Sequence, residues 1–302
     1  MKTYEFLEIV HREYAPRSYL EIGVNTGASL ALARTRTIGV DPAFVIETEI
    51  HCDLQLVKAT SDDFFARDDA LAHFGDGRVD LAFVDGQHLV EYALRDFMNV
   101  ERHAEWTSVI LVDDVFPRYA ARASRERGAL TGWTGDVFKL AEVLDRHRPD
   151  LLSIALDTYP TGLLVVLGAD SQNRALERHY EEIVAEYVTP DPQSVPEAVL
   201  RCEAGVDPDS IAHSELWTTL RRARESGAPR DLGMEGVRRV VQAAATPTKR
   251  RKPAPTHPSG ERSVQPPQAM QRRMLTGVRR RLGRLRRRLG RPSSLASDNR
   301  PD

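Results

Sequence analysis

The chain has 302 residues, 41% of them hydrophobic, which is enough for one large domain or two small ones with a real core. Its formal net charge of −2 hides an uneven distribution. From Thr246 onward stand 16 of the 42 Lys and Arg and 3 of the 44 Asp and Glu, so a body of about −15 precedes a tail of about +13. The acidic body argues against nucleic-acid binding. Two cysteines, Cys52 and Cys202, make no disulfide framework, and no Cys/His spacing points to zinc. The N-terminus lacks a basic-then-apolar signal pattern and no apolar run approaches the length of a membrane span, so a soluble, cytoplasmic protein is expected.

Residues 4–15 place Phe6, Leu7, Val10 and Tyr14 at helical spacing, which predicts a helix over the sheet edge or a ligand mouth. Tyr19-Leu-Glu-Ile-Gly-Val-Asn-Thr-Gly27 follows. It reads as a buried strand that ends in Glu21 and turns at Gly23 and Gly27, opening a helix over Ala28–Arg34. Glycine at those points lets a ligand approach the backbone. The second strand, Thr37–Asp41, ends in an acid that suits ribose hydroxyls. A third strand is expected at Leu54–Lys58. Ser61 then N-caps a helix, and Asp62 beside it has the chemistry to accept from an exocyclic amine; the two readings are compatible.

Val79–Val84 is the fourth strand, with Asp85 at its tip. A helix is expected from about Leu89 to His103. The fifth strand starts at Ser108 and ends in Asp113 and Asp114. Residues 116–134 are rich in arginine and weakly periodic, and suit either a lid for an acidic or phosphorylated acceptor or a solvated surface. A helix over 136–147 leads to two apolar runs, 151–157 and 162–167, joined by so short a link that they must pair antiparallel. The alternation predicts a doubly wound α/β sheet with one antiparallel strand. A helix over 172–187 closes a domain of residues 1–188. Beyond a proline-marked linker, a helical extension covers 189–245 in two or three pieces, and the Pro-, Ser- and Arg-rich residues 246–302 are expected to be disordered.

Asp85, Asp113 and Asp114 end neighbouring strands, so their carboxylates should converge. Such a cluster either caps turns or holds a hard divalent cation, for which magnesium is the usual choice. His88 lies where the turn after Asp85 becomes a helix, and an imidazole there is placed to take a substrate proton.

The loop Glu21-x-Gly23-x-x-x-Gly27 resembles the nucleoside-binding loop of class I S-adenosylmethionine-dependent methyltransferases. Phe83-Val-Asp-Gly-Gln-His-Leu-Val-Glu91 followed by Ile110-Leu-Val-Asp-Asp-Val115 resembles the Asp-Gly-x-His and Asp-Asp motifs of small bacterial sugar O-methyltransferases of the macrocin and mycinamicin type. The match covers about residues 18–168. Val90 stands where that family often has tyrosine, and the longer N-terminal segment of the macrolide enzymes has no counterpart. The resemblance implies a seven-stranded, Rossmann-like sheet and methyl transfer to a hydroxyl of a glycan or small natural product. It implies S-adenosylmethionine bordered by Glu21, Gly23, Asn25, Gly27 and Ser29, with Asp41 on the ribose and Ser61 and Asp62 by the adenine. It implies Mg2+ on Asp85, Asp113 and Asp114, with His88 as base and Asp85 beside it in catalysis. The alternative is a non-catalytic binding module of the same fold, tethered through its basic tail.

In that tail, between Arg272 and Arg291, Leu275, Val278, Leu282, Leu285 and Leu289 recur at steps of three and four, with arginines between. This pattern fits an amphipathic helix on an anionic membrane, at the inner face of the membrane for a cytoplasmic protein. A coiled-coil partner would use the same leucines, nucleic acid only the arginines, and docking on the chain's own acidic body is the fourth possibility.

Overall fold

A computed structural model describes residues 1–128 and 131–248. In chain order the elements are α1 (Thr3–Tyr14), β1 (Ser18–Ile22), β2 (Arg36–Val40), β3 (Leu54–Val57), α2 (Ser61–Phe65), β4 (Val79–Val84), α3 (Val90–Glu101), β5 (Ala104–Asp113), α4 (Lys139–His147), β6 (Leu152–Leu156) and β7 (Leu163–Leu167). Six helices follow: α5 (Ala175–Arg178), α6 (Tyr180–Tyr187), α7 (Glu197–Leu200), α8 (Pro208–Ala212), α9 (Leu216–Ser226) and α10 (Arg230–Ala244). The strands form one seven-stranded sheet in the order β3-β2-β1-β4-β5-β7-β6. Only β7 runs against the rest, antiparallel to both β5 and β6.

Every residue of β1, β4 and β7 is buried, because both faces of the sheet are covered. Alternate residues divide between two cores. Leu20, Ile22, Ala82, Val84, Ile110 and Val112 face the inward stripes of α3 and α4. Tyr19, Leu81, Phe83, Val109 and Leu111 face α1, α9 and α10, where Phe6, Trp217, Leu220 and Val237 are fully buried. Phe6 and Trp217 meet edge to face at 5.7 Å. Segment 189–245 therefore belongs to the same compact unit as the sheet.

The helix expected over Ala28–Arg34 is a single 3-10 turn, Leu30–Leu32. The loop takes up the chain to Ser29 and β2 begins at Arg36, so no length remains for a full helix. The face it would cover is held instead by α1, α9 and α10. The helix expected over 172–187 breaks at His179, whose backbone leaves the helical region. The cap of α2 is Thr60, whose Oγ1 accepts from Asp63 N at 3.1 Å; Ser61, expected as the cap, is the first helical residue. The extension has four helical pieces where two or three were expected. Among the described residues no helix is long and apolar enough to cross a membrane. The tail expectations for 249–302, including the amphipathic stretch 272–291, lie outside the described residues.

Candidate functional site

The tips of β2, β1, β4 and β5 bring Asp41, Gly23, Asp85 and the Asp113–Asp114 pair to one edge of the sheet. The packing there is tight. Gly23 has φ +94°, and a Cβ on it would overlap the carbonyl of Asp85. Gly23 N donates to Val40 O and Asp85 N donates to Ile22 O, so the strand ladder continues into both loops.

Asp41 organises the glycine loop. Its carboxylate accepts from Asn25 N at 2.9 Å and from Ala43 N at 2.6 Å. Asn25 is left-handed, φ +49°, as asparagine tolerates. Residues 43–48 then lie against the loop: Val45 N bonds Asn25 O, Glu47 N bonds Thr26 O, and Thr48 Oγ1 bonds Gly27 O. A Cβ on Gly27 would meet Ile46 at 3.0 Å, so this glycine serves the strap as well as any ligand.

Glu21 and Ser29 stand behind the loop. Glu21 is 0% exposed and Ser29 3%. Glu21 accepts from Tyr19 OH at 2.6 Å and from Ser29 Oγ at 2.7 Å. Tyr19 and Glu21 are two residues apart on one strand and so share a face. Burial pushes the Glu21 carboxyl up to about 8, against those two hydrogen bonds and with Asp85 and Asp41 adding to the rise. Both side chains, expected to border a cofactor, are buried here and bonded to each other.

The acid cluster differs from expectation in one member. Asp85, His88 and Asp114 each offer an atom such that all three lie within 4.8 Å of one another. Asp113 is not in that group; its Oδ1 accepts from Asp114 N at 3.0 Å. Asp114 has φ +70°, and this left-handed step separates the directions of the two neighbours. His88 points Nδ1 at Asp114 and holds Nε2 3.8 Å from Asp85 Oδ1. Asp85, His88, Asp113 and Asp114 line a cavity of about 10 Å³ floored by Val84, Ala93, Val112 and Val137. That is about the room one water or one ion needs.

Burial raises the Asp85 carboxyl to about 7, against the pull of His88 and with the push of Asp114 and Asp41. Burial, Asp85 and Asp114 push the Asp113 carboxyl well above the usual range. Burial alone would lower the His88 imidazole, but Asp114, which it faces, and then Asp85 lift it to about 9. Without another cation, the imidazolium is the counter-ion of this cluster.

The loop after β5 roofs the cluster. Trp133 stacks on His88 at 5.0 Å and 24°, and its Nε1 donates to Ser124 O at 2.6 Å. Gly135 lies so close that a Cβ would overlap the His88 carbonyl. Arg125 forks between Glu91 and the fully buried Asp136, each at 2.6 Å. Asp136 in turn accepts from Val90 N at 2.9 Å, capping the turn into α3. Arg118 pairs with Asp157 at 2.5 Å and donates to the Thr158 and Pro160 carbonyls. Arg118 and Arg125 thus tie the loop down, neither free for an acceptor nor solvated.

At the β3 tip, both oxygens of Asp62 accept from Arg95, at 3.0 and 2.9 Å. Ser61 hydrogen-bonds the buried Asp96, whose carboxyl burial raises to about 7. Sequence reasoning missed Tyr19, Arg95, Asp96 and Asp136, and gave Trp133 and Tyr4 no role. Asp136 was open to reading, since an acid opening an expected helix is a capping signal; Trp133 and Tyr4 reach the site only through tertiary packing.

A family model described as a methyltransferase domain matches residues 20–115, a span that takes in Glu21, Asp41, Asp85, His88, Asp113 and Asp114. No curated protein matches the chain. Among solved structures, the O-methyltransferase TomG of Streptomyces achromogenes, involved in tomaymycin synthesis and solved with S-adenosylmethionine, shares 18% identity. It covers 55% of this chain and 79% of its own, with a TM-score of 0.40. An O-methyltransferase from Bacillus cereus with S-adenosylhomocysteine shares 14%, covering 55% and 80%, at 0.38. The MycE methyltransferase of mycinamycin biosynthesis, with Mg and S-adenosylhomocysteine, shares 17%, covering 54% of this chain and 48% of its own, at 0.38. The strand order and single reversed strand are the Rossmann-like methyltransferase arrangement.

Proposed function

We propose that the chain is an S-adenosylmethionine-dependent methyltransferase that acts on a hydroxyl of a glycan or small natural product, assisted by a divalent cation. The observation that carries this reading is a juxtaposition inside the matched span. A glycine loop governed by Asp41 sits on one side of the β1 tip, and Asp85, His88 and Asp114 sit on the other.

S-adenosylmethionine supplies a methyl group on a sulfonium, ready for in-line attack by an oxygen. Asp41 would accept from the ribose hydroxyls, exchanging its bonds to the loop amides. Gly23, Asn25 and Gly27 would let the nucleoside lie against backbone. Ser61 and Asp62 flank the adenine end; each Asp62 oxygen keeps a lone pair beyond its bond to Arg95. Glu21 and Ser29 would hold the loop from behind.

The carboxylates fit a hard cation such as Mg2+: burial and mutual repulsion make them costly to ionise with His88 as sole counter-ion, and the cavity suits one ion. Asp85 and Asp114 would hold it, with Asp113 adding charge nearby. A bound cation would supply positive charge that stabilises the alkoxide and so makes an acceptor hydroxyl more acidic. With the cation as counter-charge the His88 imidazole would be neutral, and its Nε2 would take the hydroxyl proton while Trp133 holds the ring and Asp114 holds Nδ1.

Calorimetric titration with S-adenosylmethionine tests the reading. Binding that Asp41→Ala weakens is expected; a chain that takes up no S-adenosylmethionine at millimolar ligand is a binding module of the same fold instead. Metabolite profiling of a deletion strain, seeking a product lighter by one methyl group, identifies the acceptor. We further propose that residues 272–291 hold this activity at an anionic membrane surface, for which their leucine and arginine pattern is the support.

A further inference from the structure

Tyr4 stands in the first turn of α1, and that turn is pinned to the β6–β7 turn. Thr3 N donates to Tyr159 O at 3.0 Å and Tyr159 N donates to Met1 O at 3.1 Å. The hydroxyls of Thr3 and Thr158 share a buried hydrogen bond at 3.0 Å. The pinning fixes where Tyr4 projects. Its phenol lies beside the Ser29 hydroxyl and within the field of Asp85, Asp113 and Glu21. The inward stripe of α1 enters the core, with Phe6, Leu7 and Val10 at 0% exposure, whereas Tyr4 stays 42% exposed. Tyr4 is therefore an aromatic face at the mouth of the site, not a core side chain.

The position matters because of how a methyl donor must lie. The ribose belongs with Asp41 on the β2 tip, and the acceptor with the cluster on the β4 and β5 tips. In the sheet, β1 stands between β2 and β4. The sulfonium is bonded to the carbon that leaves the ribose, so the line from ribose to acceptor crosses the β1 tip. Glu21 lies one residue before the end of β1, the turn that pins α1 runs into Leu163, which pairs with Asp113 at the β5 tip, and Tyr4 stands within the field of Glu21, Asp85 and Asp113. The donor's positive sulfur would pass the tyrosine ring.

We propose that Tyr4 is the residue that distinguishes the charged methyl donor from its spent, neutral form, its ring packing on the sulfonium; this rests on the methyltransferase reading above. A cation is drawn to the negative face of an aromatic ring. Methyl transfer turns the sulfonium into a neutral thioether, and that attraction ends. S-adenosylhomocysteine would keep every other contact and lose this one, which favours product release. Tyr4 is not a base: burial, then Asp85, Asp113 and Glu21, raise its phenol so far that it stays protonated.

The test is calorimetry of the full chain with S-adenosylmethionine and S-adenosylhomocysteine, for wild type, Tyr4→Phe and Tyr4→Leu. Tyr4→Leu should weaken S-adenosylmethionine about fivefold and S-adenosylhomocysteine less than about twofold. Tyr4→Phe keeps the ring and should keep the wild-type ratio of the two affinities. Equal weakening of both ligands by Tyr4→Leu, no weakening of either, or loss of the ratio in Tyr4→Phe, overturns the proposal and leaves the methyltransferase reading standing. A wild-type chain that binds neither ligand overturns both.

Discussion

His88 and Asp114 face each other across the cavity at the sheet's edge, with Nδ1 of the imidazole turned onto the carboxylate and Nε2 left toward Asp85. The imidazole arrives from the turn after β4, and Asp114 from a left-handed step at the end of β5. Without a metal the protonated ring balances the carboxylates; in the neutral ring Asp114 would keep the remaining proton on Nδ1 and leave Nε2 as the acceptor.

The same pair makes cation binding sensitive to either acid. Asp85→Asn and Asp114→Asn should each weaken Mg2+ or Mn2+ binding by at least about tenfold. Glu142→Gln, on α4 with its carboxylate accepting from Tyr187 OH, should leave it unchanged. Calorimetry on the chelator-treated protein reads the difference, and unchanged affinity in both Asp variants would return these acids to turn capping.

Asp41→Ala should cost about 1.5–3 kcal/mol of S-adenosylmethionine binding, since a charge-assisted pair of hydrogen bonds is lost. Its amide partners, Asn25 and Ala43, lose their acceptor as well. Hydrogen exchange at those two amides should therefore quicken even in the ligand-free protein. Slow exchange in the variant would show that the loop holds itself.

Glu21 makes stability depend on pH. Folded, it keeps its proton up to about pH 8; its ordinary value is 4.5. Across that window the folded state binds more protons than the unfolded, so stability is greatest below 4.5 and falls as pH rises to about 8. Urea midpoints at pH 5 and pH 8 should drop more for the wild type than for Glu21→Gln, which has no proton to lose. Parallel pH dependence in the two proteins would mean that Glu21 is ionised in the fold.

Vesicle co-sedimentation checks the tail. The full chain should pellet with anionic vesicles and not with neutral ones, and a chain truncated after Thr248 should stay in solution with both. Equal behaviour of the two chains removes the membrane proposal.

Most strands could be read from the sequence because they are apolar on both faces and end in acids or glycines, a pattern few other elements share. Asp41, Asp85 and His88 were legible for the same reason: each follows directly from a strand end. Asp113 and Asp114 were legible as a pair that lines the cavity, but two consecutive aspartates do not say which one faces His88; the left-handed backbone at Asp114 decides it. The bonds of Glu21 to Tyr19 and Ser29 were not legible, because sequence alone does not show which side chains close over a buried carboxyl. The arginines of the 116–134 loop gave charge without partners, and their partners, Glu91, Asp136 and Asp157, stand elsewhere in the chain. Amphipathic patterns marked α9 and α10 as helices but not which surface their stripes cover.

That surface sets the order in which the molecule can be completed during synthesis. With a single 3-10 turn where a helix was expected after β1, the face of Leu81, Phe83 and Leu111 waits for Trp217, Leu220 and Val237. The charge of that closure is local too: Asp80 already holds Arg17 and receives Arg224 at 3.2 Å only when α9 docks. A nascent chain that has emerged as far as Val188 carries every strand and every proposed site residue, yet shows one greasy side to the cell. Some fifty more residues must leave the ribosome before α9 and α10 can hide it, and through that interval the exposed apolar face is open to aggregation.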